Sequence, residues 1–389
     1  MIEGSVHSGS FLPHGALPRG GLAHVGQPSA APITRRGIVL VLAFCFWSSI
    51  GVIGAAVPAA LAPPTVRELV GQRFVVAMDG TSPSRALLGR VRRGEIGGVI
   101  LFGSNIENPT QLRRLTTALQ EAARTAGRPP LLIATDQEGG RVRRVPWAGP
   151  LPSTTALGQL SPAAIRVQAL ASGRALRLSG VNVDLAPVAD VPRADSFMAL
   201  EERTFSAVPA TVAGATVAFA KGLAGARVAA AVKHFPGIGR ATRNTDRSAV
   251  EIGASRAELS DADLVPFSAA IAAGAPIVMI SNATYPALDS KPAPWSPRIQ
   301  SLLRGELGFQ GVTISDALDG AAATRGRGLA SVAALAAQAG VDLLLLTGSE
   351  VSSAAAYERV AAVAERGGIS PVALRASYAR IVALKRMVG

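Results

Sequence analysis

The sequence of 389 residues contains one cysteine, Cys45, so no intramolecular disulfide can form and cysteine gives no redox clue. Aromatic residues make up only 4%, which leaves a core to be built from Ala, Val, Leu and Ile. Lysine is scarce: Lys221, Lys233, Lys291 and Lys385 are the only four, so the formal net charge of +13 comes from arginine. The arginines form no run of five or more and no aromatic interleaving, which argues against a nucleic-acid partner and for a solvated, Arg-biased surface. The sequence has no phosphate loop ending in Gly-Lys-Ser/Thr, no Cys/His cluster at metal-ligand spacing and no Gly-x-Ser-x-Gly elbow. These absences exclude nucleotide hydrolysis, zinc chemistry and the α/β-hydrolase arrangement.

What is present begins with an extension. Residues 1–34 are rich in Gly, Pro, Ser and Ala without periodicity, and read as a disordered amino-terminal segment. Residues 35–62 read as a signal peptide or membrane anchor: Arg35-Arg36 precede an apolar run from Ile38 to Ala62, long enough to span a bilayer. Its small-residue end permits cleavage, although Pro63 directly after Ala60-Leu61-Ala62 disfavours a cut there. The expected location is outside the cytoplasm, in the extracellular space or cell envelope, with membrane contact through residues 38–62 if they are retained.

From residue 65 to residue 389, short apolar runs alternate with longer amphipathic stretches. The runs are Arg73–Met78, Gly98–Phe102, Leu131–Thr135, Val181–Ala186, Ala229–Val232, Ile277–Ser281, Val312–Ser315 and Val341–Leu346. They are too short for helices and suit parallel strands buried on both faces. Helices are expected over Ser84–Arg93, Pro109–Ala126, Pro162–Leu178, Pro209–Gly225, Arg256–Ala273, Pro297–Leu307, Ala330–Ala339, Ser352–Arg366 and Pro371–Met387. Three of them open with Ser or Asn followed by Pro: Asn108-Pro109, Ser161-Pro162 and Ser296-Pro297. Eight such units predict an α/β protein, a (β/α)8 barrel of the TIM type forming a single catalytic domain, with a doubly wound open sheet as the alternative.

Barrel enzymes carry their chemistry at the carboxyl ends of the strands. Here those ends read Asp136-Gln137-Glu138, Lys233-His234, Ser281-Asn282 and Asp316. Asp136 can accept hydrogen bonds from hydroxyl groups and Arg144 can clamp an acid or a hydroxyl; the plain alternative is an internal salt bridge. Lys233 and His234 can donate to ligand hydroxyls beside a Gly/Pro-rich loop that contains Asn244 and Asp246. Asp316, at the end of the seventh strand, can attack an anomeric carbon. Asp319, three residues on, reads as a helix cap.

Asp136–Arg144 and Lys233–Gly239, together with Val181–Val191 and Glu202–Ser206, resemble segments of glycoside hydrolase family 3, with greatest likeness to its bacterial single-domain β-N-acetylglucosaminidases. The resemblance covers roughly residues 66–388. It implies a retaining mechanism with Asp316 as nucleophile, a terminal sugar bound by Asp136, Arg144, Arg203, Lys233 and His234, and no metal or cofactor.

The sequence departs from the family pattern at two places. Relatives carry an Asp-Ser-His triplet in the loop after the Lys-His-Phe-Pro-Gly motif, where the His is the general acid/base. Here those positions are Asn244-Thr245-Asp246. The family's other solution takes the acid/base from a second domain, and none is expected in a sequence that ends soon after the barrel. Asp246 is therefore the expected proton donor, with its pKa raised by burial or by Asp316. The second departure is Asn282, where relatives often carry a subsite His. The expected activity is hydrolysis of terminal, non-reducing β-linked N-acetylglucosamine from peptidoglycan fragments or related glycans, by a monomer. The alternatives are a β-glucosidase-like exo-glycosidase and a catalytically impaired carbohydrate-binding pseudoenzyme.

Overall fold

The computed structural model describes residues 63–389. The expected disordered extension (1–34) and the expected signal or anchor (35–62) lie outside these residues. Among the described residues no helix is long and apolar enough to cross a membrane.

All eight apolar runs form parallel strands: β1 (Phe74–Val76), β2 (Gly98–Ile100), β3 (Leu132–Thr135), β4 (Val183–Asp184), β5 (Ala229–Phe235), β6 (Ile277–Ile280), β7 (Val312–Ser315) and β8 (Leu344–Leu346). Each pairs with its neighbours in chain order, and β1 also pairs with β8, placing Phe74 opposite Leu344. The ring closes between β7 and β8. Ile314 bridges Leu343, Ser315 N–H donates to the Leu343 carbonyl at 2.9 Å, and Leu343 N–H donates to the Thr313 carbonyl at 2.8 Å. The open-sheet alternative is thereby excluded, because a closed ring leaves no edge strand.

The barrel interior is filled by Val75, Ile100, Leu132, Ala134, Leu185, Ala231, Met279, Ile314 and Leu345, among others. With so few aromatic rings available, aliphatic side chains from successive strands interdigitate in layers. The helix Pro371–Val388 closes the amino-terminal end of the barrel with Ile381, Leu384 and Val388. Outside the barrel, a second aliphatic layer packs the strands against the helices; Phe74, Leu112, Ile165, Val212 and Val332 belong to it.

The helix starts follow the capping logic of the sequence. Asn108, Ser161 and Ser296 each accept a backbone N–H of the first turn, with proline as the next residue. Two expectations need correction. Arg256–Ala273 is not one continuous helix: it runs as Arg256–Glu258, a π-helical turn Leu259–Asp263 and Val265–Ala272. Pro266 has no N–H to offer Ala262, so the hydrogen-bond ladder shifts there. Likewise Pro297–Leu307 splits into Pro297–Ser301 and a π-helical turn, Leu302–Glu306. A further helix, Val66–Gly71, precedes β1, held by a capping box between Thr65 and Glu68.

Candidate active site

A cavity of about 460 Å³ opens at the carboxyl end of the barrel. Its floor is the top of the packed interior, including Ile100, Leu185, Met279 and Leu345. Seven side chains singled out from the sequence line it together: Asp136, Arg144, Arg203, Lys233, His234, Asp246 and Asp316. They come from four strands, β3, β4, β5 and β7, and the connections that follow them, which is what a barrel mouth allows.

One wall is an ionic network. Lys233 Nζ lies 2.8 Å from Asp136 Oδ1 and 2.7 Å from Glu138 Oε1. Arg203 grips Glu138 with two parallel bonds, Nε to Oε2 at 2.9 Å and Nη2 to Oε1 at 2.8 Å. Burial alone would raise the Glu138 pKa, but Arg203 and Lys233 hold its carboxyl well below the ordinary carboxylate range. Burial works against the Lys233 ammonium, and Asp136 with Glu138 outweigh it and raise its pKa. Lys233 and Arg203 therefore stay charged on this wall, which favours ligand hydroxyl groups as hydrogen-bond acceptors.

The local chain explains these positions. Asp136 follows β3, and a tight hairpin pairs Gln137–Gly139 with Val142–Arg143. Gly139 (φ 113°) and Gly140 (φ 52°) make its turn in left-handed conformations that side chains rarely adopt. The hairpin brings Arg144 back beside Asp136, whose carbonyl accepts the Arg144 N–H at 3.2 Å. Among the described residues the Arg144 guanidinium has no hydrogen-bond partner; its buried Nε is unpaired.

Lys233 and His234 were expected just beyond the fifth strand. They lie inside it, because β5 runs on to Phe235 past an irregularity in its pairing with β6. The His234 Nδ1 is 2.7 Å from Asp190 Oδ2, a fully buried carboxylate. That bond commits Nδ1 and leaves Nε2 as the ring nitrogen available to a ligand. Asp190 also accepts the Ile238 N–H at 2.8 Å, tying the Gly/Pro loop to the same anchor. Asp190 lies in a sequence segment already singled out, but its pairing with His234 spans 44 residues and is visible only in the fold.

Asp316 caps β7, and its Oδ1 accepts the Ala317 N–H at 2.8 Å. Among the described residues Oδ2 carries no such bond. Asp246 stands at the mouth and keeps solvent access. Its pKa is raised to about 6, first by partial burial within the loop walls and then by the Asp316 charge. Both carboxylates line one cavity, and the charge of Asp316 is one of the causes that raise the proton affinity of Asp246, as a proton donor requires.

Two neighbouring residues differ from expectation. Asp319 caps no helix: its carboxylate holds Thr347 N–H at 2.9 Å and Thr347 Oγ1 at 2.7 Å, and Gly320 is the N-cap of the helix that follows, Ala321–Thr324. Asn282 is fully buried outside the cavity lining, and its Nδ2 donates to the Ala317 carbonyl at 2.7 Å. It supports the chain behind Asp316 rather than contacting a ligand. The salt bridge weighed for Asp136 is real, and it coexists with a place on the cavity wall. Among the described residues no cluster of His, Cys, Asp and Glu is arranged to hold a metal ion.

The chain is similar to known glycosidases. It is 36% identical to a β-hexosaminidase of Xanthomonas axonopodis over 287 residues, covering 72% of this chain and 84% of the relative. It is 34% identical to an uncharacterized secreted glycosyl hydrolase of Arthroderma benhamiae, covering 86% of this chain and 98% of that one. The structure superposes with a TM-score of 0.80 on a family 3 β-N-acetylglucosaminidase from Paenibacillus, at 31% identity, covering 84% of this chain and 63% of that one. Residues 65–384 match the profile of the glycosyl hydrolase family 3 N-terminal domain. The chain is a glycosidase that belongs to glycoside hydrolase family 3.

Proposed function

We propose that the protein is a retaining exo-β-N-acetylglucosaminidase acting on peptidoglycan fragments or related amino-sugar glycans. The observation that carries this reading is the pairing of Asp316 and Asp246 in one blind cavity, with the Asp246 pKa pushed up to about 6. A cavity whose floor is the packed barrel core takes a chain end, not a chain middle. Asp136, Arg144, Arg203, Lys233 and His234 hold the terminal sugar by hydrogen bonds to its hydroxyl groups.

In the first step Asp316 Oδ2 bonds to the anomeric carbon while the glycosidic C–O bond breaks. Asp246 passes its proton to the departing oxygen. In the second step Asp246, now a carboxylate, takes a proton from water; the water oxygen bonds to the anomeric carbon and Asp316 is released. An Asp serves here because burial and the neighbouring carboxylate keep it protonated near neutral pH more than an ordinary carboxylic acid. The preference for an N-acetylamino sugar is supported by the β-hexosaminidase and β-N-acetylglucosaminidase relatives. The anionic cell-wall setting is supported by the net charge of +13 and the export-type segment 35–62, together with likeness to a secreted relative. We propose that the exported protein acts as a monomer, since its site residues all come from one chain.

The test compares nitrophenol release from the β-N-acetylglucosaminide and the β-glucoside, with Asp316→Asn as control. Faster release from the acetamido sugar, abolished in the variant, supports the reading. Release that Asp316→Asn leaves unchanged would refute it, and no release by either protein from either glycoside would favour a sugar-binding pseudoenzyme. Trapping Asp316 with a fluorinated N-acetylglucosaminyl donor, read by peptide mass, tests the covalent step.

A further inference from the structure

The loop that carries Asp246 is tied to the chain that follows Asp316. Ala321 N–H donates to the Asp246 carbonyl at 2.9 Å, and Ala322 N–H donates to the Thr245 carbonyl at 3.1 Å. These are the first two N–H groups of the short helix Ala321–Thr324, which has no side-chain cap. The loop carbonyls satisfy them instead. Inside the loop, Asn244 Oδ1 accepts the Asp246 N–H at 2.8 Å and fixes the turn. Beyond the helix, Arg325 pairs with Glu251 at 3.0 Å and joins the far ends of the two segments.

The segment behind Asp316 is itself braced from two sides. Asn282 holds the Ala317 carbonyl, and Asp319 grips Thr347 next to the end of β8. Gly320 sits where the braced segment and the loop approach each other. Its φ of −60° suits any residue, so the glycine is not needed for backbone conformation. Space is the constraint. A Cβ there would lie too close to the Ala317 oxygen (3.1 Å) and Asn282 Nδ2 (3.2 Å), and relief from those two fixed neighbours would press it on the Asp246 Cα, already in van der Waals contact at 3.4 Å. Two of these neighbours are backbone, and the third is a fully buried amide engaged in a hydrogen bond. The Asp246 loop is the one neighbour that can yield outward, because Arg243, Asp246 and Arg247 are exposed to solvent.

We propose that Gly320 is a positioning residue for glycosyl transfer: its bare Cα lets the Asp246 loop seat on the segment behind Asp316, so that proton donor and nucleophile share one fixed register before substrate arrives. The proposal rests on the assignment of Asp246 as proton donor made above. Asp316 keeps its place through β7 and its bond to Ala317, so a side chain at 320 displaces the donor more than the nucleophile. Proton donation matters most when the leaving group is a poor one, and a misplacement of ~1 Å costs on the order of a hundredfold.

The experiment uses Gly320→Ala and Gly320→Val in the full chain, assayed for kcat/KM with 2,4-dinitrophenyl and methyl β-N-acetylglucosaminides. The dinitrophenolate departs without help and the methoxide does not. The expected result is a loss of about tenfold for the methyl glycoside in Gly320→Ala and a larger loss in Gly320→Val, with less than about threefold change for the dinitrophenyl glycoside. An equal loss on both substrates, or no loss on either, overturns the proposal. If Gly320→Val does not fold, as circular dichroism would show, Gly320→Ala decides alone. Asp246→Ala assayed with sodium azide separates the two levels. If Asp246→Ala loses both substrates alike and forms no β-glycosyl azide, the donor assignment has failed and the positioning role falls with it. If azide rescues Asp246→Ala while the Gly320 variants behave as wild type, only the positioning role fails.

Discussion

Arg203 and Glu138 face each other side-on beneath the cavity, joined by two parallel hydrogen bonds of 2.9 and 2.8 Å. The same carboxylate lies 2.7 Å from Lys233, so one buried anion orients two of the cations on the cavity wall. Replacing Glu138 by Gln leaves both cations short of a partner in a place with little water. We expect Glu138→Gln to lower unfolding free energy by about 3–5 kcal/mol, measured by urea denaturation at pH 7. The Glu138 pKa is depressed in the folded state, so its contribution is present above its ordinary value of 4.5 and is lost as pH falls toward the folded value. The stability gap between wild type and Glu138→Gln should therefore narrow below pH 4.5. A gap that stays constant down to pH 3 would contradict this account.

Asp246 should govern the alkaline side of the pH–rate profile. With a pKa of about 6 it carries its proton below that pH and loses it above. We expect kcat/KM for a glycoside with a poor leaving group to fall about tenfold per pH unit above 6. In Asp246→Asn that limb should disappear, on a rate lowered by ~10²- to 10⁴-fold. A variant that kept the wild-type profile would place the titrating acid elsewhere.

Asp316→Asn should leave the fold intact, because the asparagine oxygen can still accept the Ala317 N–H. Turnover should fall by ~10⁴-fold or more on every substrate, activated or not, which differs from the leaving-group dependence expected at Asp246. Thermal unfolding and steady-state kinetics on the same preparation distinguish loss of chemistry from loss of structure.

Far from the mouth, Lys385 is fully buried at the amino-terminal end of the barrel with its Nζ 2.6 Å from Gln72 Oε1. Burial lowers its pKa from 10.5 to about 7. Between those values the unfolded chain binds the extra proton, so stability attributable to this group rises with pH from 7 toward 10. Lys385→Met should thus stabilise most at pH 6 and least near pH 10, and differential scanning calorimetry across that range reads the trend. A pH-independent difference between the two proteins would show that the folded lysine keeps its ordinary pKa of 10.5.

The strands were legible because each is a short run of Val, Ile and Leu buried on both sides, and that pattern needs no knowledge of neighbours. Helix starts at Asn108, Ser161 and Ser296 were legible because capping is local chemistry between a side chain and the next turn. The π-helical turns at Leu259–Asp263 and Leu302–Glu306 were not, since a one-residue slip in a hydrogen-bond ladder leaves the apolar periodicity almost unchanged. Asp319 looked like a cap because its spacing after the strand suits one; its real partner, Thr347, is 28 residues away.

By itself the sequence determined the alternating strand–helix pattern, the barrel, and the identity of the polar residues that end its strands, because these depend on hydrophobic periodicity and on which residues border it. Only the tertiary structure decided which charges neutralise each other, that Asn282 and Asp319 brace the segment behind Asp316, and that Asp246 shares a cavity with it. Those relationships depend on distances between residues tens of positions apart, and such distances come into being only when the ring of strands closes.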